Sequence, residues 1–206
     1  LAVCQHRARE KAAFAAAGVP CAPHALIETE DQLAAVDPAL LPGILKTASL
    51  GDDGKGQARV DDAAALTAAW ARLGRVPCVL EQRLALAREL SVIVARGADG
   101  TVVHLPVQQN LHRDGILAVT EVPSPDVAPA LQTQAVEAAA ALARELGYVG
   151  VLCVEFFVLA DGRLVANEMA PRRGRKMGHL TVTAADAATA RQTARRAAEQ
   201  LGLPGW

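Results

Sequence analysis

The chain has 206 residues, 51% of them apolar, and a formal net charge of −1, so it can bury one large or two small domains and is not expected to be disordered. The near-zero charge and the 3% aromatic content argue against nucleic acid as the main partner, and no apolar run approaches the roughly 20 residues of a membrane span. The four cysteines lack Cys-x-x-Cys spacing, which favours reduced core thiols in a cytoplasmic protein and argues against a zinc site.

The first half of the chain predicts a small mixed unit built around a glycine-rich loop. In chain order, the residue pattern predicts helices over residues 5–17, 30–36 and 61–73 and strands over 43–48, 57–60 and 78–81. The strand-loop-strand-helix-strand part is compact, and we expect it to be small enough to move as a lid.

The second half predicts a larger body that is richer in strands. The pattern predicts strands over residues 89–96, 101–109, 150–159, 164–169 and 180–182 and helices over 130–146 and 184–201. Asp99-Gly100 and Asp161-Gly162 are typical of hairpin turns, so the strands that flank each turn are expected to pair.

The loop itself has the composition of a phosphate cradle. It reads Lys46-Thr-Ala-Ser-Leu-Gly-Asp-Asp-Gly-Lys-Gly-Gln57 and follows an apolar strand. Glycines allow the positive φ angles that turn backbone N–H groups toward an anion, and lysines add point charges for phosphate oxygens. The spacing is neither that of a P-loop nor that of a Rossmann turn. The alternative is a polar surface hairpin.

Lysine usage supports the first interpretation. Only four of the 21 basic residues are lysines, at positions 11, 46, 55 and 176, and three of them lie in this loop or in other glycine-flanked basic stretches. Because arginine and lysine differ in geometry and hydration, a chain that otherwise prefers arginine suggests that a compact charge is needed at these positions.

Two carboxylates indicate a metal site. Glu155 lies in an apolar strand, and Glu168 follows Asn167 in the strand that returns across the Asp161-Gly162 turn. Such carboxylates are costly to bury without a cation, and the hairpin would bring them face to face. Oxygen ligands alone favour magnesium, with Asn167 as a third ligand. The alternative is a pair of edge-strand carboxylates that face water.

Glu81 and Glu89 flank the junction between the small unit and the body, where a ligand cleft is common. Backbone groups of residues 81–84 could contact the edge of an adenine, and Glu89 could accept hydrogen bonds from ribose hydroxyls. Taken singly, either glutamate is more often a solvated surface residue.

Together these motifs resemble those of the ATP-grasp enzymes, and among them most closely the 5-(carboxyamino)imidazole ribonucleotide synthases of purine biosynthesis. The resemblance covers essentially the whole chain. It rests on the loop 46–57, the hinge Glu81, Glu89-Leu-Ser-Val-Ile-Val-Ala-Arg96, Gln109-Asn-Leu-His112, Val154-Glu-Phe-Phe157, Asn167-Glu-Met-Ala-Pro-Arg172 and Gly174-Arg-Lys-Met-Gly-His179.

The resemblance implies a site for ATP and Mg²⁺. It implies nucleotide contacts from Arg7, Lys46, Gly51, Asp53, Gly54, Lys55, Gly56, Gln57, Glu81, Gln82, Arg83, Leu84, Glu89, His112, Asn167 and Glu168. It implies magnesium ligands in Glu155 and Glu168. It also implies that Arg172 lies near bicarbonate, and that Arg175 and Lys176 approach the carboxylated intermediate or the ribonucleotide phosphate. Asp52, Lys55, Arg172 and Lys176 are the expected catalytic positions.

The implied fold is α+β: a small ATP-grasp lid, a larger body with an antiparallel sheet, and a remnant of a small C-terminal domain. The expected divisions are a linker helix at 1–18, the lid at 19–84, the core at 85–172 and the C-terminal part at 173–206. The family has an N-terminal domain ahead of the linker helix and a longer connection after Arg172, so we expect this chain to be an abridged version. The family commonly has Tyr at the position of Asp52.

The implied reaction is a ligation in which ATP phosphorylates bicarbonate and the amine of aminoimidazole ribonucleotide is carboxylated. The small-molecule partners would be these three compounds, in a cytoplasmic homodimer. One alternative is another ATP-grasp ligase with a different acceptor. A second alternative is a truncated module that binds ATP without turnover, which Asp52 and the missing segments favour.

Overall fold

The structure is a computed structural model that describes residues 2–49, 56–113, 116–124, 126–170 and 186–200. In chain order its elements are α1 (Arg7–Ala16), β1 (His24–Ile27), α2 (Glu30–Ala34), β2 (Gly43–Thr47), β3 (Gln57–Val60), α3 (Ala63–Arg72), β4 (Cys78–Gln82), β5 (Leu86–Arg96), β6 (Val102–His104), β7 (Gln108–Arg113), β8 (Ile116–Glu121), α4 (Pro129–Glu145), β9 (Gly150–Leu159), β10 (Leu164–Ala170) and α5 (Ala187–Gln200).

The first half forms a four-stranded sheet in the order β1-β4-β2-β3, with every neighbouring pair antiparallel. Helix α3 packs on this sheet through Leu66 and Trp70, which share a core with Ile27, Leu45 and Leu80. The helix begins where the Asp62 side chain accepts a hydrogen bond from the backbone N–H of Ala65, satisfying an N–H that the first turn leaves unpaired. This small sheet carries Lys46 and Glu81.

The second half forms a six-stranded antiparallel sheet in the order β10-β9-β5-β7-β8, with β6 paired to β5. Residues on β9 alternate between the two faces, so that Val154 and Phe156 are buried in the core whereas Glu155 lies on the opposite face. Helix α4 covers the core face, and α1 joins the same core through Phe14. The other face of this sheet carries the acidic residues of the candidate site.

Most of the predicted elements are confirmed, but β1 falls where no strand was predicted, and two further departures lie between residues 101 and 121. The strand predicted over 101–109 is two strands, β6 and β7, with Pro106 in the gap between them. Proline has no N–H to donate to a strand ladder, so a single strand through this position is disfavoured. Strand β8 was not predicted. It is an edge strand whose Leu117 and Val119 are exposed, so its alternating pattern does not mark a buried face.

The final helix is confirmed as α5, and the strand predicted over 180–182 lies outside the described residues. No helix in the described part of the chain is long and apolar enough to span a bilayer. All four cysteines lie within the described residues and none is in a disulfide. Only Cys78 is fully buried and the other three are half-buried, so the prediction of core thiols holds fully for one of them.

Candidate nucleotide and metal site

Helix α1 presents three charged residues on one face between the two sheets. Arg7, Glu10 and Lys11 are spaced by three and four positions, which places them side by side on a helix. Glu10 and Lys11 are almost completely buried, with 4% and 1% of their surfaces exposed. Buried charges of this kind require partners, and the partners come from both sheets.

On the small sheet, the carboxylate of Glu81 contacts two lysines. Its Oε2 lies 2.7 Å from Lys46 Nζ, and its Oε1 lies 3.2 Å from Lys11 Nζ. We call these three residues the lysine cluster. Burial by itself would raise the pKa of Glu81, but the charges of Lys46 and Lys11 outweigh it and hold that pKa below its ordinary value. The carboxylate is therefore ionised at neutral pH, and two cations against one anion leave the cluster a net positive charge.

On the six-stranded sheet, three glutamates share the face opposite the core. Glu155 on β9 is paired with Glu168 on β10, and Glu89 on β5 lies two residues from the Ser91 partner of Glu155. We call Glu89, Glu155 and Glu168 the acidic face. Burial, together with the negative charges of Glu168 and Glu89, raises the pKa of Glu155 to about 7. The expected pairing of Glu155 and Glu168 across one hairpin is confirmed.

Strand β10 contains a bulge at Asn167, between the two carboxylates and helix α1. The pairing with β9 shifts between Ala166 and Glu168, so that Asn167 has no residue opposite it. The backbone carbonyl of Asn167 accepts a hydrogen bond from Lys11 Nζ at 3.0 Å, and the N–H of Met169 donates to Glu10 Oε1 at 2.7 Å. Burial is the main reason that the pKa of Glu10 is raised to about 7.

The side chain of Asn167 interacts with the Glu155 carboxylate and partly offsets the rise in its pKa, and Arg7 Nη1 lies 3.8 Å from Glu168 Oε2. These contacts bring helix α1, the bulge and the acidic face into one continuous set of polar groups. The groups belong to parts of the chain that are far apart in sequence.

The acidic face has the donor chemistry of a magnesium site. Mg²⁺ takes oxygen ligands and is commonly held by one or two carboxylates, with water and phosphate oxygens in its other positions. Glu155 and Glu168 supply two carboxylates and Asn167 supplies an amide oxygen beside them. Within the described residues, no group of three or more His, Cys, Asp and Glu side chains is arranged to hold a metal.

His112 and Glu89 occupy the neighbouring part of the same face. His112 Nδ1 and Glu89 Oε2 are 2.6 Å apart, although the ring nitrogen lacks the alignment of a hydrogen bond, so the contact is one of proximity. The face continues into a polar chain in which Asn110 donates to Ser91 and accepts from Thr120.

The hinge segment 81–84 differs from expectation in two ways. Glu81 is 5% exposed, so the alternative that it is a solvated surface residue is wrong. The backbone N–H groups of Gln82 and Arg83 donate to the carbonyls of Pro23 and Pro42, both at 2.9 Å. A base held at this hinge must therefore contact other backbone groups of the segment, such as those of Leu84.

The structure brings together Arg7, Lys46, Glu81, Glu155, Asn167 and Glu168, and it places Glu89 and His112 beside them. Gly56 and Gln57 follow the loop at the start of β3, and Thr47 N donates to the carbonyl of Gly56. The expected site residues Gly51, Asp52, Asp53, Gly54, Lys55, Arg172, Arg175 and Lys176 lie outside the described residues.

Sequence reasoning missed Glu10 and Lys11. Two signals were available: the scarcity of lysine in the chain, and the position of Lys11 four residues after Arg7 and three before the core residue Phe14. That spacing places Lys11 beside an apolar residue on the buried side of the helix. A lysine at such a position is costly to bury and so indicates a specific partner.

Comparisons with known proteins agree with this geometry. A sequence profile described as the ATP-grasp domain matches residues 12–205. The N5-carboxyaminoimidazole ribonucleotide synthase of Bacillus subtilis is 39% identical over 183 residues, covering 88% of this chain and 48% of that protein. The chain thus spans about half the length of the curated relatives it matches.

Two solved structures show the same architecture. The ADP complex of an N5-carboxyaminoimidazole ribonucleotide synthetase superposes with a TM-score of 0.80 at 33% identity, covering 99% of this chain and 53% of that one. The enzyme from Aspergillus clavatus, in complex with ADP and 5-aminoimidazole ribonucleotide, has a TM-score of 0.72 at 27% identity and covers 82% of this chain and 44% of that one. With the profile match over most of its length, the chain belongs to the ATP-grasp family.

Proposed function

We propose that the chain is the nucleotide-binding and metal-binding part of a ligase that carboxylates aminoimidazole ribonucleotide with bicarbonate at the expense of ATP. In this reaction an oxygen of bicarbonate takes the terminal phosphoryl group, and ADP leaves. The exocyclic amine of the ribonucleotide then attacks the carbon of carboxyphosphate, and phosphate leaves. The similarity to N5-carboxyaminoimidazole ribonucleotide synthases supports this choice of substrates.

The observation that carries the proposal is the placement of a positively charged cluster next to an acidic face, with Lys11 and Asn167 joining the two. The lysine cluster has a net positive charge, whereas the acidic face has crowded carboxylates and a Glu155 whose pKa is raised to about 7. A magnesium-bound nucleotide has the complementary pattern, because its phosphates attract lysines and its cation attracts carboxylates. Phosphoryl transfer depends mainly on such positioning and charge neutralisation.

Each residue then has a defined task. Lys46 and Arg7 bind phosphate oxygens, and the segment 81–84 holds the base. Glu89 accepts from the ribose hydroxyls, with His112 beside the nucleotide. Glu155 and Glu168 hold Mg²⁺, which when bound neutralises the phosphates.

Lys55 and its neighbours at 51–54, which lie outside the described residues, are assigned to the phosphates together with Gly56 and Gln57, and Asp52 is assigned to catalysis. Arg172 is assigned to bicarbonate, and Arg175 and Lys176 to the ribonucleotide. We also propose that the protein is a cytoplasmic homodimer.

The test is phosphate release from ATP with and without bicarbonate and with and without aminoimidazole ribonucleotide. We expect release to require bicarbonate and Mg²⁺ and to increase when the ribonucleotide is present. Glu155→Gln and Glu168→Gln keep the shape of each side chain and remove one negative ligand, so turnover should be lost while the nucleotide alone still binds.

The matched control is Glu145→Gln, which removes an exposed carboxylate at the end of α4, the helix that covers the opposite face of the six-stranded sheet. It should retain full turnover. If either Glu155→Gln or Glu168→Gln turned over like the parent across a magnesium titration, that residue would not be a metal ligand. Release that is stimulated by a different acceptor would point to another ATP-grasp ligase.

A second candidate is a module that binds ATP without turnover. Calorimetric binding of ATP together with no bicarbonate-dependent phosphate release would support this candidate over the ligase.

A further inference from the structure

Glu10 and Lys11 have no direct part in the proposed chemistry, although they are the most deeply buried charged residues of the site. Both lie on α1, and both hydrogen-bond the backbone of the bulge in β10. Burial of two adjacent charged residues opposes folding unless their partners compensate for the lost hydration. Their contacts therefore indicate what they hold in place.

The two residues bind the two ends of the bulge. Lys11 Nζ donates to the carbonyl of Asn167 at 3.0 Å, and Glu10 Oε1 accepts from the N–H of Met169 at 2.7 Å. Glu168 lies between these backbone groups in sequence, and the Asn167 side chain interacts with the Glu155 carboxylate. A bulge re-aims the side chains of its strand, so fixing its backbone fixes the direction of Asn167 and Glu168.

Lys11 also reaches the other sheet. Its ammonium group lies 3.2 Å from Glu81 Oε1, and the second oxygen of that carboxylate lies 2.7 Å from Lys46 Nζ. A continuous path thus runs from Lys46 through Glu81 and Lys11 to Asn167. It joins the proposed phosphate-binding lysine to the strand of the proposed metal ligands.

We propose that Glu10 and Lys11 are positioning residues that fix the metal-binding bulge of β10 relative to the phosphate-binding lysine of the small sheet. The inference rests on the proposed function, because it assigns these residues to the coupling between the metal and the nucleotide. Supporting groups of this kind orient the ligands that touch the metal, and their loss weakens metal binding although they never touch it. A purely structural ion pair would contribute to folding without affecting this coupling.

The measurement is the ratio of ADP dissociation constants in EDTA and in saturating Mg²⁺, obtained by calorimetry on the whole chain. The ratio reports how strongly the metal strengthens nucleotide binding. Lys11→Met keeps the length and the apolar stem but removes the charge and the donors. We expect it to lower the ratio by about 10-fold or more. Lys11→Arg keeps a charge and donors, and should retain more of the ratio than Lys11→Met.

Leu142→Ala is the matched control for stability. Leu142 is fully buried in the core that α1 and α4 share. The variant should lower the urea midpoint and leave the ratio unchanged. Glu10 offers a second pair of variants, because Glu10→Gln keeps an acceptor for Met169 N–H whereas Glu10→Leu removes it. We expect only Glu10→Leu to lower the ratio.

The outcomes separate this inference from the function on which it rests. A wild-type ratio in Lys11→Met and Glu10→Leu, with ADP still bound by the parent, would overturn the positioning role alone. Failure of the parent protein to bind ADP would overturn the proposed function and this inference with it. If Lys11→Met does not fold, the contrast between Glu10→Gln and Glu10→Leu decides the question.

Discussion

The lysine cluster and the acidic face contain buried charges in opposite states of compensation. In the lysine cluster, Glu81 contacts two ammonium groups within 3.2 Å, and its pKa is held below the ordinary value despite burial. On the acidic face, Glu155 has other carboxylates as its charged neighbours, and its pKa is raised to about 7. The buried carboxylate of the lysine cluster is thus compensated by nearby cations, whereas the buried carboxylate of the acidic face has like charges around it.

This difference indicates which part of the site serves folding and which part serves binding. A compensated buried charge is strongly destabilising only when one partner is removed. A crowded, uncompensated carboxylate has the reverse property, since its removal relieves repulsion. The acidic face is therefore maintained at the expense of stability, as is common where residues must bind a charged ligand.

The largest effect is expected from Glu81→Gln, which removes the carboxylate that Lys11 and Lys46 share. The change leaves Lys11 and Lys46 without a counter-ion at a buried position. We expect the free energy of unfolding to fall by about 3–5 kcal/mol, measured by urea denaturation. A loss below about 1 kcal/mol would mean that water reaches these lysines and compensates them.

Glu155→Gln should have the opposite effect on the metal-free protein. Because burial and like charges raise the pKa of Glu155 from 4.5 to about 7, the folded state favours its protonated form. The stability that the folded state gains from protonated Glu155 is fully present below pH 4.5 and is lost as the pH rises through about 7. At pH 8 in EDTA, the variant should therefore be more stable than the parent by about 3 kcal/mol, and the two should converge near pH 4.

Urea denaturation across this pH range provides the measurement for Glu155→Gln. Equal stability of variant and parent at pH 8 would show that the acidic face is not under electrostatic strain. The lysine cluster and the acidic face would then not differ in the compensation of their buried carboxylates.

Lys46→Ala tests whether the lysine cluster binds the phosphates of the nucleotide. Lys11 remains to pair with Glu81, so the protein should stay folded while one cation is lost from the phosphates. We expect the dissociation constant for ATP to rise by about 10-fold, which corresponds to about 1.4 kcal/mol, measured by calorimetry. Lys46→Arg should recover only part of this loss, because the guanidinium differs in shape and hydration. Unchanged affinity in Lys46→Ala would remove Lys46 from the site.

The smallest effect is expected where a charged pair is not buried. Arg75 Nη1 lies 2.6 Å from Glu30 Oε1, but both side chains are more than half exposed. Glu30→Gln should change the free energy of unfolding by less than about 1 kcal/mol in the same urea assay. A loss as large as that of Glu81→Gln would show that burial is not what separates the two kinds of pair.

Much of the fold follows from patterns within short stretches of sequence. The hairpin around Asp161-Gly162 is an example, because its turn and its apolar alternation predict both strands and the pairing of Glu155 with Glu168. Strands β6 to β8 were less predictable. Their residues lie near a sheet edge, where the pattern is governed by Pro106 and by solvent rather than by a core.

Local sequence patterns predict the helices, most strands and the pairing of Glu155 with Glu168, because each depends on neighbours within a few residues or across one turn. The partners of Glu10 and Lys11 on helix α1 become evident only in the tertiary structure. Lys11 contacts a carbonyl 156 positions away, and Glu10 contacts an N–H 159 positions away. No local periodicity encodes such contacts, since they arise only when the packing of Phe14 into the body core turns the charged face of the helix toward both sheets.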